Sequence, residues 1–185
     1  MDTTTYGMPY ILEDKTGELT GSDFIDINDR LRLRLRCTAQ VQTHTAYMIH
    51  NVTHGHEREV SRALVALAFG PDNSLGTITF ESRSPVAMGE YLRRVSPFAS
   101  SRSRKFLASD GEEYQWSWHA TKGYEWTCTR QNQQLVATYS LKVVGEPEYI
   151  SSSGCVLTID EAYPHLAVEI LATLTIMRHI VAHNL

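Results

Sequence analysis

The sequence predicts a mainly β fold: an antiparallel β-barrel or strongly curved sheet wrapped around a hydrophobic C-terminal α-helix. Three observations carry this. Leu166, Ala167, Val168, Ile170, Leu171, Ala172, Leu174, Ile176, Met177, Ile180 and Val181 make a helix candidate at about 162–183 that is apolar on nearly every side, whereas a surface helix keeps a polar stripe. Its longest charge-free stretch, Ile170–Met177, is eight residues, against the ~20 that cross a bilayer, so protein has to enclose it. Upstream lie short alternating segments separated by turn signals, the pattern of β-strands.

Taken in order, residues 1–22 read as a flexible polar N-terminus, frayed and with at most an edge strand around Tyr10-Ile11-Leu12, because chain ends order poorly unless tied down. Residues 23–185 read as one domain. Arg30-Leu31-Arg32-Leu33-Arg34-Leu35-Arg36 alternates without a fault, which as a strand puts Leu on one face and Arg on the other. Val41–Val52 continues as a strand pair. Residues 57–69 fit a helical face or a buried strand, and the Pro71-Asp72-Asn73-Ser74 turn before Thr77-Ile78-Thr79-Phe80 favours a hairpin. Phe106–Ser109, Glu112–His119, Tyr124–Arg130 and Leu135–Val144 then form a meander, with Asp110-Gly111 and Lys122-Gly123 as turns. Within it Tyr114, Trp116 and Trp118 share a face, as do Tyr124, Trp126 and Cys128. Val156–Ile159 is the last strand, and Pro164 suits a helix start.

No Pro/Gly/Ser-rich linker divides the 185 residues, so one domain is expected. With 42% hydrophobic and 21% charged residues the composition is that of a globular chain with a core, not a disordered one. Cys37, Cys128 and Cys155 form no Cys-x-x-Cys, and the N-terminus lacks a basic and then apolar leader. The expected setting is cytoplasmic, with peripheral membrane attachment as an option. The net charge of −4 is unevenly spread: residues 1–29 carry seven acids and one Lys, while residues 93–105 carry only basic charge.

Ser101-Arg102-Ser103-Arg104-Lys105-Phe106, Ser109-Asp110-Gly111, Tyr114-Gln115-Trp116, Leu135-Val136-Ala137 and Leu157-Thr158-Ile159 before an apolar helix resemble an uncharacterised domain family of basidiomycete fungi. Residues 76–185 carry that resemblance. It implies a fold similar to the tubby C-terminal and phospholipid-scramblase group, and it brings no catalytic residues.

The basic residues are the strongest functional candidates. Arg93, Arg94, Arg102, Arg104 and Lys105 lie in Ser-rich sequence with no acid among them, a pattern suited to an anionic surface. Arg32 and Arg34 present guanidinium groups matched to phosphate oxygens, although a neighbouring strand's Asp or Glu could answer them. The expected partner is therefore an anionic membrane lipid or a phosphorylated molecule. Nucleic acid is not expected, since the chain is acidic overall and no aromatics interleave with the basic cluster. Arg93-Arg94-Val95-Ser96 also matches a basophilic kinase site.

Metal ligation is a lesser candidate. His50, His54 and His56 share parity, and His179 and His183 stand four apart on the helix, a ligand spacing. Solvated hairpin histidines and a favourable helix C-terminus explain both sets more simply. No nucleophile elbow, phosphate loop or dinucleotide fingerprint occurs, so the expectation is a non-enzymatic domain without a cofactor. The alternative is a small-molecule site or enzyme whose pocket is bordered by Tyr114, Trp116, Trp118, Tyr124 and Trp126.

Overall fold

The computed structural model describes residues 7–41, 43–53, 62–81, 83–96, 100–119, 125–142, 145, 147 and 150–185. One arm of the fold runs through β1 (Tyr10–Asp14), β2 (Gly21–Asp26), β3 (Arg32–Val41), β4 (His44–Asn51), β5 (Val65–Phe69), β6 (Thr77–Phe80) and β7 (Val86–Ala87). A single-turn helix, α1 (Met88–Tyr91), leads into the other: β8 (Arg93–Arg94), β9 (Ser103–Leu107), β10 (Glu113–His119), β11 (Glu125–Arg130), β12 (Leu135–Ser140) and β13 (Cys155–Ile159). Each strand pairs antiparallel with the next within its arm. Pairing of β1 with β13, Leu12 opposite Leu157, joins the arms into one 13-stranded sheet.

The sheet ends at β7 and β8, so no ladder closes it. Yet only α1 and Leu92 separate those two edges in the chain, and one helical turn rises only about 6 Å. The edges are thus tethered to each other, and the sheet is strongly wrapped. The two-residue length of each edge strand limits the unpaired backbone it presents.

The wrapped interior is filled by α2 (Ala167–His183), entered through a 3-10 turn at Pro164–Leu166. Alternate residues of the strands, among them Leu12, Phe24, Leu33, Leu35, Ile49, Leu67, Ile78, Trp116 and Leu157, are wholly buried, as are Leu174, Ile176, Met177 and Ile180 of α2. Asn184 ends the helix in the left-handed conformation and bonds back to the Val181 carbonyl, a residue type that tolerates that backbone. Pro164–His183 is long and apolar enough to span a membrane by length and composition, but 72% of that window is buried inside the sheet. The buried hydroxyls of Thr173 and Thr175 donate to the carbonyls of Glu169 and Leu171.

Of the ambiguous segment 57–69, residues 57–61 lie outside the described residues and Val65–Phe69 forms one strand of a hairpin: β5 and β6 flank Pro71–Asn73, where Asp72 and Asn73 take positive φ. Close approach fixes Gly76 there, since a β-carbon would fall 1.9 Å from the Ala68 carbonyl oxygen. Two expectations are corrected. Tyr10–Asp14 is not an edge strand of a frayed start: it pairs on both sides, with β13 and β2. Arg30 is not in the alternating strand either; it lies in the turn before β3 and bonds back to Asp26 at 2.8 Å.

Candidate functional site

The register of the β8–β9 edge sorts the basic cluster. Arg93 stands opposite Lys105 and Arg94 opposite Arg104, and Lys105 and Arg104 stand opposite Gln115 and Trp116 on β10. Opposed residues share a face. Arg93 and Lys105 therefore point outward, where Glu113 meets them at 3.4 and 3.1 Å. The expectation that no acid answers this cluster is corrected there: Glu113 lies outside the basic segment in sequence but across one hairpin in space.

Arg104 faces inward with Phe106 and is only 5% exposed. Its Nη1 donates to the Leu92 carbonyl at 3.2 Å and its Nε to the Ser101 carbonyl at 3.4 Å. No carboxylate among the described residues reaches it, and the charge beside it is that of Arg94, which is exposed and makes no ion pair among those residues. Burial pulls the Arg104 guanidinium below its ordinary pKa, and Arg94 adds to that. Arginine nevertheless stays protonated in proteins. A buried cation held by two carbonyl dipoles, with no counter-ion among the described residues, is costly. Arg102 is exposed in the turn leading into β9, and Val95 (38% exposed) and Leu107 (55%) place apolar side chains among the basic ones.

Arg32 and Arg34 are on the exposed face of β3 but are already answered. Asp23 of β2 takes Arg34 at 2.9 Å and Arg36 at 2.8 Å, and Asp29 takes Arg32. Exposed pairs of this kind contribute little stability, but they cancel the positive potential an anion would need. The structure therefore separates the two basic regions: β3 is neutralised, while among the described residues no acid pairs with Arg94, Arg102 or Arg104.

The histidines are dispersed. His50 lies on β4 opposite Arg34, and His54 and His56 fall outside the described residues. His179 Nε2 donates to the Asn73 carbonyl at 2.8 Å, and its ring stacks on Phe69 at 3.7 Å with His183 at 4.3 Å. Among the described residues no three His, Cys, Asp or Glu side chains are grouped as a metal centre requires. Burial holds His179 below its ordinary pKa, with the His183 charge adding and the Asn73 carbonyl opposing. A depressed folded pKa means this contribution to stability is full above the unfolded value of about 6.5 and is lost as pH falls through the folded value. Urea denaturation of the wild type should accordingly show stability falling on acidification below pH 6.5, with a smaller fall in His179→Phe; equal falls would remove His179 as the cause.

The aromatic meander is core. Tyr114, Trp116 and Trp126 are buried, and Trp116 Nε1 donates to Thr173 Oγ1 of α2 at 2.9 Å. Trp118 is half-buried against Trp126, and Tyr124 lies outside the described residues. A surface cavity of about 230 Å³ near the start of α2 is lined instead by Leu64, Phe80, Glu81, Arg83, His165 and Glu169 among others. The Glu169 carboxylate there is taken up by the Ser109 amide and hydroxyl and by Tyr91.

A core helix wrapped by a single antiparallel sheet, with an arginine pair at one sheet edge that no acid meets among the described residues, defines a β-domain with a basic edge. The chain belongs to DUF6593, a family of unknown function, whose family model matches residues 29–181. That match begins well before the 76–185 stretch that carries the resemblance in sequence. No curated protein and no solved structure matches the chain.

Proposed function

We propose that this chain is a non-enzymatic domain that binds anionic phospholipid headgroups at a membrane surface through the β8–β9 edge. The observation that carries this is Arg104, a buried guanidinium without a carboxylate partner among the described residues, standing beside Arg94. Phosphate oxygens suit such a pair. Exposed Val95 and Leu107 favour a lipid surface over a soluble polyanion, because apolar side chains beside basic ones gain from contact with the acyl boundary. On this reading the chain is a fungal member of its family, with a tubby- and scramblase-like architecture, acting in the cytoplasm and peripherally at membranes.

Sedimentation with vesicles containing phosphatidylserine tests it. Binding should fall steeply between low and physiological salt, since such contacts are screened. The double substitution Arg94→Gln with Arg102→Gln should weaken it about 30-fold, from roughly 1 kcal/mol per basic residue near a charged membrane. Arg32→Gln with Arg34→Gln should leave it within about twofold. Absence of binding at low salt, or a loss confined to the β3 pair, contradicts the proposal.

A further inference from the structure

Beside the anion site stands a serine that neither the fold nor the site uses. Ser96 follows Arg93, Arg94 and Val95, is exposed, and leaves the sheet just past its edge strand. Arginines two and three residues before a serine are the charge pattern that basophilic kinases read, since acidic groups in a kinase cleft pair with guanidinium. Both arginines can be presented. Arg94 has no ion pair among the described residues, and the contact of Arg93 with Glu113 is long, 3.4 Å, and made from an exposed Arg93 side chain, so it is weak. The backbone can follow, because β8 is two residues long and pairs with β9 on one side only.

We infer that Ser96 is a phosphoacceptor for a basophilic serine kinase, and that its phosphate closes the anion site by occupying Arg94. In the transfer the Ser96 Oγ attacks the γ-phosphorus of ATP. The bond from that phosphorus to the β,γ-bridging oxygen breaks, ADP leaves, and the hydroxyl proton passes to the kinase's base. The product carries about −1.5 to −2 charge and three acceptor oxygens, two residues from Arg94, which makes no ion pair among the described residues. A headgroup would need the same donors. The modification is therefore an off-switch whose consequence for lipid rests on the membrane reading above, whereas the modification itself and the capture of its phosphate do not.

The test uses the full chain, ATP and the catalytic subunit of cyclic-AMP-dependent protein kinase. Mass spectrometry should find one phosphate on Ser96, absent in Ser96→Ala and at least about tenfold slower to form in Arg93→Gln with Arg94→Gln. A folded chain left unmodified at Ser96 overturns the inference. In phosphorus NMR the second ionisation of the captured phosphate should lie below the pKa of about 6 of a solvated phosphoserine and return towards it in Arg94→Gln. An ordinary value in the wild type overturns the capture. Vesicle affinity should drop about 30-fold on modification, from about two cancelled charges. Should neither form bind vesicles, the membrane reading fails, and the phosphate ionisation still decides this inference by itself.

Discussion

Removing residues 165–185, or replacing Leu174 with Asp, should abolish cooperative folding. Leu174 is wholly buried, and Ala172, Ile176, Met177 and Ile180 share that burial on other sides of the same helix, so no rotation of α2 carries a charge to solvent. The substitution forfeits about 2–5 kcal/mol for a deleted core leucine and adds the burial of a carboxyl without partners. Domains are stable by only about 5–15 kcal/mol. Deletion is worse, since it opens the inward face of the sheet to water. Circular dichroism with thermal melting checks both variants, and a soluble truncation that melts cooperatively would show that the sheet stands without its helix.

Asp14→Ala should lose about 3–5 kcal/mol, the penalty for removing one partner of a buried ion pair. Asp14 is wholly buried on β1, where its carboxylate accepts from the Tyr139 hydroxyl at 2.7 Å, the Gly17 amide at 2.9 Å and the Ser22 hydroxyl. Arg178 of α2 approaches it at 3.6 Å, donates to the Gly17 carbonyl at 2.6 Å and lies 4.8 Å over the Tyr139 ring. One carboxylate thus binds β1, β2, β12 and the helix together. Without it the Arg178 charge stays enclosed, its side chain only 11% exposed. Urea denaturation should show the full loss in Asp14→Ala and a partial recovery when Arg178→Met is added, because the stranded cation is then gone. A loss under about 1 kcal/mol would mean that water replaces the carboxylate.

The helix was legible because all-round apolarity has one solution in water, and the leucines of β3 because a two-residue period sends Leu33 and Leu35 inside. The same period operates in β9. Arg104 shares parity with Phe106, so a strand that buries the phenylalanine also buries the arginine. Composition alone makes that stretch look like a solvated basic loop. The centre of the sheet was hidden for another reason. Tyr10–Asp14 is short and ends in acids, and its burial depends on β13, whose Leu157 sits opposite Leu12 from the far end of the chain. Register also decides which charges survive: Asp23 reaches Arg34 and Arg36 across β2–β3, and Glu113 reaches Lys105 and Arg93 across β10, β9 and β8. Such cancellations follow from strand pairing and not from charge counts along the chain.

On the proposed membrane-binding reading, Arg94 and Arg104 form the anion site while the arginines of β3 do not. Nitrogen-15 NMR of the arginine side chains, during titration with soluble inositol hexakisphosphate at constant ionic strength, reads this residue by residue. The Nε–H signals of Arg94 and Arg104 should shift together and saturate, with those of Arg32, Arg34 and Arg36 held in place by Asp29 and Asp23. Movement of the β3 signals with Arg104 unmoved would contradict the assignment, as would a titration in which no arginine signal responds.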